Sequence, residues 1–343
     1  MNEEELTFKL KSIEKENAIL KKKLNRSERE REEIEALLDQ TRQLLDTVAK
    51  EKLSEEEQKQ LAIFRKFVPE EFLRSLNKEG WLNIKLGDHV EEFMTILFND
   101  IRSFTPLSEK MTMDENFAFI NSYLKYVYPP IKNNGGFVDN YIGDAVMALF
   151  PRTKDAIEAG IGMHKAISEY NKARAADFLP PIEIGIGLHC GKIILGIIGV
   201  EHRMQGTVIS YTVNLAVHLE ALTKFYGSAM LVSQNVLAEN KDLYPSRYLG
   251  KVKLTGQALT HMEIFEILTA EPDDIFAMKL ASKPFFEEGI KLFYEKRFAE
   301  ASVQFTHSLK AYQNDKAAHY FLKQSATHMI SGVPENWDGA EVL

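Results

Sequence analysis

The chain has 343 residues, of which 45% are hydrophobic and 27% charged, and a formal net charge of −8; it is long enough for one substantial core plus appended segments. The acidic balance argues against nucleic acid as a partner, because phosphate binders carry a basic face. A single cysteine, Cys190, leaves no internal disulfide, and neither a membrane-length apolar run nor a signal peptide is present, so a cytoplasmic, soluble protein is expected.

Residues 1–53 are dense in Glu, Lys and Leu and read as a coiled coil. A seven-residue repeat places Leu6, Ile13, Leu20 and Ile34 at d and Leu10, Asn17, Leu24 and Leu38 at a, with Ser27 and Arg31 interrupting the seam. A buried Asn at a fixes register and favours two parallel strands, so a homodimer through this coil is expected. Residues 54–90 form a helical junction, opened by the capping box Ser54-Glu55-Glu56-Glu57, continued by Leu61, Phe64 and Phe67, and broken or restarted at Pro69.

Residues 91–270 read as strand, helix, strand, strand, helix, strand. Phe93–Asn99 is the first strand, and Thr105-Pro106 is a cap followed by Pro at the first helical position. Phe117, Ile120, Leu124, Val127 and Ile131 share one helical face up to the Gly135-Gly136 stop. Phe137–Phe150 is a hairpin with Asp144 at its turn, and Ile157, Ile161, His164 and Ile167 mark the second helix. Ile182, Ile184, Ile186 and Leu188 alternate with Glu183, Gly185, Gly187 and His189, a period-two strand. This order suits an α+β ferredoxin-like sheet covered by helices on one side. Residues 271–343 are helical throughout, with Gly289, Ala301 and Phe305 at the small, small and aromatic positions of a tetratricopeptide-like hairpin and a second partial pair from Lys316. A single such unit needs a neighbour, so it is expected to pack on the central domain or to complete a dimer contact.

Asp100 and Asp144 each end a strand-like run, and taken singly each is read as a turn former or cap. As a pair on adjacent strand tips they could share divalent ions. Mg²⁺ takes one or two protein carboxylates and leaves its other positions to water and phosphate.

The segments FNDIRSFTPLSE, NYIGDAVMALF, GIGLHCGKIILGIIG and TVISYTVNLAVHLEALTKFYG give the region from about Phe64 to Leu268 a strong resemblance to the class III nucleotide cyclases. The resemblance implies a ferredoxin-like cyclase fold and conversion of a nucleoside triphosphate, ATP first, to its cyclic monophosphate and pyrophosphate. It implies two Mg²⁺ or Mn²⁺ ions per site, bound by Asp100, Asp144 and the Ile101 carbonyl. It further implies triphosphate contacts from the turn through Ile101, Phe104 and Thr105 and, from the same side, Lys192. The family's other half-site comes from a second subunit, and there this chain departs from the pattern. Asn140 and Tyr211 stand where a base-reading Lys and Asp are expected, His218 where an α-phosphate Arg is expected, and Thr255 where a triphosphate Lys is expected; Asn214 matches the ribose-orienting Asn. Guanylate cyclases alter the base-reading pair toward Glu and Cys, which this chain lacks. Three readings follow: the metal-side subunit of a heterodimer with an orthodox cyclase, a silent dimeric signalling or scaffold module, and a low-activity homodimer with altered base preference.

Overall fold

The fold is organised by the hydrogen-bond register of one long antiparallel pair. The computed structural model describes residues 70–76, 84–200, 202–253 and 261–342. The coil at 1–53, the junction signals from Ser54 to Pro69 and Thr255 lie outside the described residues. Helix α1 (Glu70–Ser75) precedes strand β1 (His89–Ile101), which leads into α2 (Phe104–Ser108) and α3 (Met113–Asn133). The hairpin β2 (Phe137–Ile142) and β3 (Ala145–Phe150) follows, then α4 (Thr153–Ala176) and the 17-residue β4 (Ile184–Val200). Strand β5 (Arg203–Ile209), helix α5 (Tyr211–Tyr226), β6 (Met230–Ser233), α6 (Gln234–Leu237), β7 (Ser246–Lys253) and β8 (His261–Ile267) complete the central region. Three helices, α7 (Asp273–Tyr294), α8 (Phe298–Ala311) and α9 (Lys316–Ser331), and a short β9 (Glu341–Val342) end the chain.

The sheet order is β2-β3-β1-β4-β6-β8-β7-β9, with β5 beside β4. Leaving aside the single turn α2, the order β1-α3-β2-β3-α4-β4 makes the split βαβ arrangement expected from the pattern. The strand expected at Phe93–Asn99 is longer, because β1 pairs with β4 continuously from His89↔Gly196 to Ile101↔Ile184. One core lies where Leu97, Val146, Ile186 and Leu188 meet Tyr123, Val127 and Ile131 of α3 and Ile157 and Ile161 of α4.

Several expectations are corrected. The sheet is covered on both faces: Gly185, Gly187 and Gly191 of β4 lie against α5, and a second core joins Leu215 and Leu219 to Leu231, Leu249, Ile264 and the aromatics of α7–α9. The glycines make this possible, since a Cβ on Gly187 would fall 2.3 Å from the Ala216 carbonyl. The α3 face turns by a few residues: Phe119 and Tyr123 are buried, whereas Phe117 is 74% exposed. The helix start is set by a capping box between Thr112 and Glu115. Thr105 is not a cap; α2 begins at Phe104, two residues before the expected Pro106, and Ser103, held at φ 55°, occupies the cap position. The second partial pair is a single helix, α9, after which β9 pairs with β7. No helix among the described residues is long and apolar enough to cross a membrane.

Candidate active site

The end of β1 is pinned before it reaches Asp100. Buried Asn99 donates from Nδ2 to the Gly185 carbonyl at 3.1 Å, and the Tyr123 hydroxyl of α3 donates to its Oδ1. The next residue, Asp100, therefore projects from a strand end that cannot slip. Asp144 sits in the β2–β3 turn, where Gly143 takes φ 66°, a left-handed conformation that glycine adopts freely. The Ile101 amide lies 3.0 Å from Asp100 Oδ1 and 3.3 Å from Asp144 Oδ2, so both carboxylates converge on one N–H. Burial, then the hydrogen-bonded and charged Asp100 beside it, push Asp144 up to about 7. Two carboxylates held this close require a proton or a cation between them.

A divalent cation fits that requirement. Among the described residues no three His, Cys, Asp or Glu side chains gather as a metal cage. The two carboxylates are hard oxygen donors, which suit a partly hydrated divalent cation better than a closed zinc centre. Beyond Ile101 the chain enters α2, whose Phe104 stacks on Phe119 at 6.0 Å between ring centroids. Thr105 is exposed in that single helical turn.

Lys192 is not brought to this end. It pairs with Phe93, whereas Asp100 pairs with Gly185. Seven residues along the strand separate the two positions, about 23 Å at 3.3 Å per residue. Its Nζ is 2.6 Å from exposed Glu91 Oε1, and its carbonyl accepts from Ser210 Oγ and Thr212 Oγ1. Helix α5 thus starts beside Lys192 with Tyr211 and ends beside Gly185 with Glu220 and Thr223. Asn214 and His218, one turn apart, are both exposed on α5, and Tyr211 is half-buried at its first position. Asn140 is exposed on β2 opposite Met147. Within one chain, then, the start of α5 lies beside the middle of the β1–β4 pair, seven residues along the strand from Asp100.

Two neighbours of the aspartates carry no signal in the sequence. Glu220 of α5 lies against Gly185, where a Cβ would come within 2.5 Å of its Oε1. Burial and Asp100 push Glu220 up to about 7. Arg102 donates from Nη2 to the carbonyls of Ser228 at 2.5 Å and Thr223 at 3.4 Å, with Glu183 Oε2 3.7 Å from Nε. Both owe their place to chain segments more than a hundred residues distant, which local spacing does not reveal.

The sequence profile of the adenylate and guanylate cyclase catalytic domain matches residues 88–268, which includes both aspartates and α5. The chain is 33% identical over 273 residues to a terminal-differentiation-specific adenylate cyclase of Dictyostelium discoideum, covering 77% of this chain and 13% of that protein. It is 41% identical over 185 residues to an adenylate cyclase of Anabaena cylindrica, covering 52% of this chain and 37% of that one. The chain therefore spans well under half the length of these curated relatives. A bacterial light-regulated adenylyl cyclase of known structure shares the fold, with a TM-score of 0.54, 23% identity, and coverage of 70% of this chain and 68% of that one. With the profile spanning more than half the chain and the paired aspartates in place, the chain belongs to the adenylate and guanylate cyclase catalytic domain family.

Proposed function

We propose that the chain is the metal-side subunit of a class III cyclase, binding ATP with Mg²⁺ or Mn²⁺ and completing its site with an orthodox cyclase chain. The observation that carries this reading is the convergence of Asp100 and Asp144 on the Ile101 amide. Tyr211 at the start of α5 lies near Lys192, about 23 Å along the β1–β4 pair from Asp100, and this supports a site shared between chains. When bound, the ions would supply charge to the triphosphate and ease deprotonation of the attacking ribose 3′-hydroxyl. Asp100, Asp144 and the Ile101 carbonyl would hold them, and the amides of Phe104 and Thr105 would meet phosphate oxygens at the same strand end. The 3′-oxygen attacks the α-phosphorus and pyrophosphate leaves. The ribose-orienting Asn of that site would come from the partner chain, and Asn214 of this chain would serve the opposite site of the dimer. The adenylate cyclases among the relatives favour ATP over GTP.

His218 and Tyr211 favour a second reading, a silent dimeric signalling module that still binds metal and nucleotide. The half-sites distinguish the two. Cyclic AMP formation is measured with the purified chain alone and then mixed with an orthodox cyclase chain. The heterodimer reading expects near silence alone and activity on mixing, lost on Asp100→Asn in this chain but not on the same change in the partner. Silence in both arms, with metal-dependent ATP binding retained, leaves the signalling module. Family-typical activity of the chain alone defeats both and leaves the homodimer with altered base preference. Metal-dependent ATP binding is expected to vanish in Asp100→Asn with Asp144→Asn, by isothermal titration; retained binding would place the nucleotide elsewhere.

A further inference from the structure

The three C-terminal helices are joined to the rest of the molecule by a buried ionic cluster as well as by apolar packing. Arg247 of β7, fully buried, donates to Glu266 of β8 and to Asp315, the N-cap of α9. Glu266 Oε2 accepts from Ser228 Oγ at 2.8 Å and from Lys279 Nζ of α7 at 2.8 Å. Lys279 also donates to Glu271 Oε1 at 2.6 Å and to the Gly227 carbonyl at 3.2 Å, and Glu271 Oε1 accepts the Ala229 amide at 2.9 Å. The 227–229 turn is thus held at three consecutive residues, Gly227 by Lys279 of α7, Ser228 by Glu266 of β8 and Ala229 by Glu271. Its Ser228 carbonyl is the one Arg102 reaches at 2.5 Å, and Arg102 follows Asp100 and Ile101 directly at the end of β1. The same turn ends α5, so it also sets the position of Glu220 against Gly185.

We propose that Arg102 is a positioning residue for the cation site and that the C-terminal helices set its placement through the Asp315–Arg247–Glu266–Ser228 chain; this rests on the reading of Asp100 and Asp144 as a cation site. Arg102 spends its guanidinium on backbone carbonyls of the turn, where its forked geometry matters. Its charge alone would repel a divalent cation, so its value to the site lies in fixing the Ile101 backbone and the Asp100 side chain. The tail is then a part of the active-site scaffold, and anything that loosens α9 from β7 weakens cation binding from a distance.

The test is Mn²⁺ binding by the full chain, followed by electron paramagnetic resonance without nucleotide, so that it does not depend on turnover. Arg102→Lys keeps the charge but loses the fork, and its Mn²⁺ dissociation constant should rise about tenfold, as is usual for outer-shell partners. Asp315→Asn keeps an N-cap acceptor but removes the ionic partner of Arg247, and should raise the constant about fivefold. Ser228→Ala removes one hydroxyl link and keeps the carbonyl; it serves as the milder distant change should Asp315→Asn fail to fold. The decisive arm combines Arg102→Lys with whichever distant variant melts as a folded protein. A double variant no weaker than Arg102→Lys alone supports the chain of positioning, because coupled sites are not additive. Independent, additive losses, or unchanged Mn²⁺ binding in the folded distant variant, overturn it while leaving the cation site standing. A wild-type chain that binds no Mn²⁺ overturns the cation site and this inference together.

Discussion

His218 and Asn214 share one exposed face of α5, and Asn140 is exposed on β2, so substitutions there cost little in packing. That makes repair an informative experiment. Removing one positioned transition-state donor typically costs ~3–4 kcal/mol. Histidine in place of Arg is shorter and lacks the fork. Half-buried Tyr211 adds ring bulk where a carboxylate is expected. Asn140→Lys, Tyr211→Asp and His218→Arg together should raise the rate of cyclic AMP formation by the chain alone roughly 10⁴-fold, allowing for incomplete additivity. Equal initial rates before and after repair would mean that other residues already fill these roles. The paired aspartates were legible because a strand end and a glycine turn mark them locally. Glu220 and Arg102 were not, because their relation to Asp100 arises only when α5 and the turn after it fold back against β1.

At the scale of elements, β4 shows where periodicity reading falls short. Its alternation of Ile with Gly and His reads as one buried and one open face, yet Gly185, Gly187 and His189 are all buried. Glycine contributes no apolar side chain to the pattern, so a face cleared for a helix looks the same as a face left to water. The spacing of Gly185, Gly187 and Gly191 was the available signal: every one falls on the side that α5 covers. Gly187→Ala should be the costliest single methyl addition there, since the new Cβ would lie 2.3 Å from both the Ala216 carbonyl and the Glu220 amide. Backbone cannot swing aside as a side chain can, so a loss of about 3 kcal/mol is expected, visible as a fall of several degrees in melting temperature. Because the displaced segment carries Glu220, the same variant should also weaken Mn²⁺ binding. A melting curve that superimposes on the wild type would show that α5 is free to retreat. The face error on α3 has a different origin: Ile120 and Leu124 border the stripe, and the face that meets the core is set by Phe119, Tyr123, Val127 and Ile131 packing on the sheet and α4.

Over the whole molecule, the tail proves inseparable from the central sheet. The expectation that it packs on the central domain holds through the second core, where Phe286, Phe293, Phe305 and Phe321 meet Leu215, Leu231 and Ile264. The ionic cluster in this interface was not legible, because Arg247, Glu266, Lys279 and Asp315 are spread over 69 positions of sequence with no common spacing. It gives the fold a defined response to acid. Burial by itself would raise Glu266, but Arg247 and Lys279 outweigh it and hold its carboxyl at about 2. A carboxylate depressed on folding adds stability that is fully present above its unfolded value of 4.5 and is lost as pH falls through the folded value of about 2. The contribution is on the order of 3 kcal/mol. Stability by urea titration should therefore decline from about pH 4.5 downward, and Glu266→Gln should flatten that limb while lowering stability at pH 7. Gln keeps the shape and leaves two cations facing two carboxylates, Asp315 and Glu271, so the cost at neutral pH comes from the charge-assisted bonds that Arg247 and Lys279 lose at position 266. If Glu266→Gln matches the wild type at pH 7 and retains the full acid limb, the cluster does not anchor the tail, and the apolar core alone holds it.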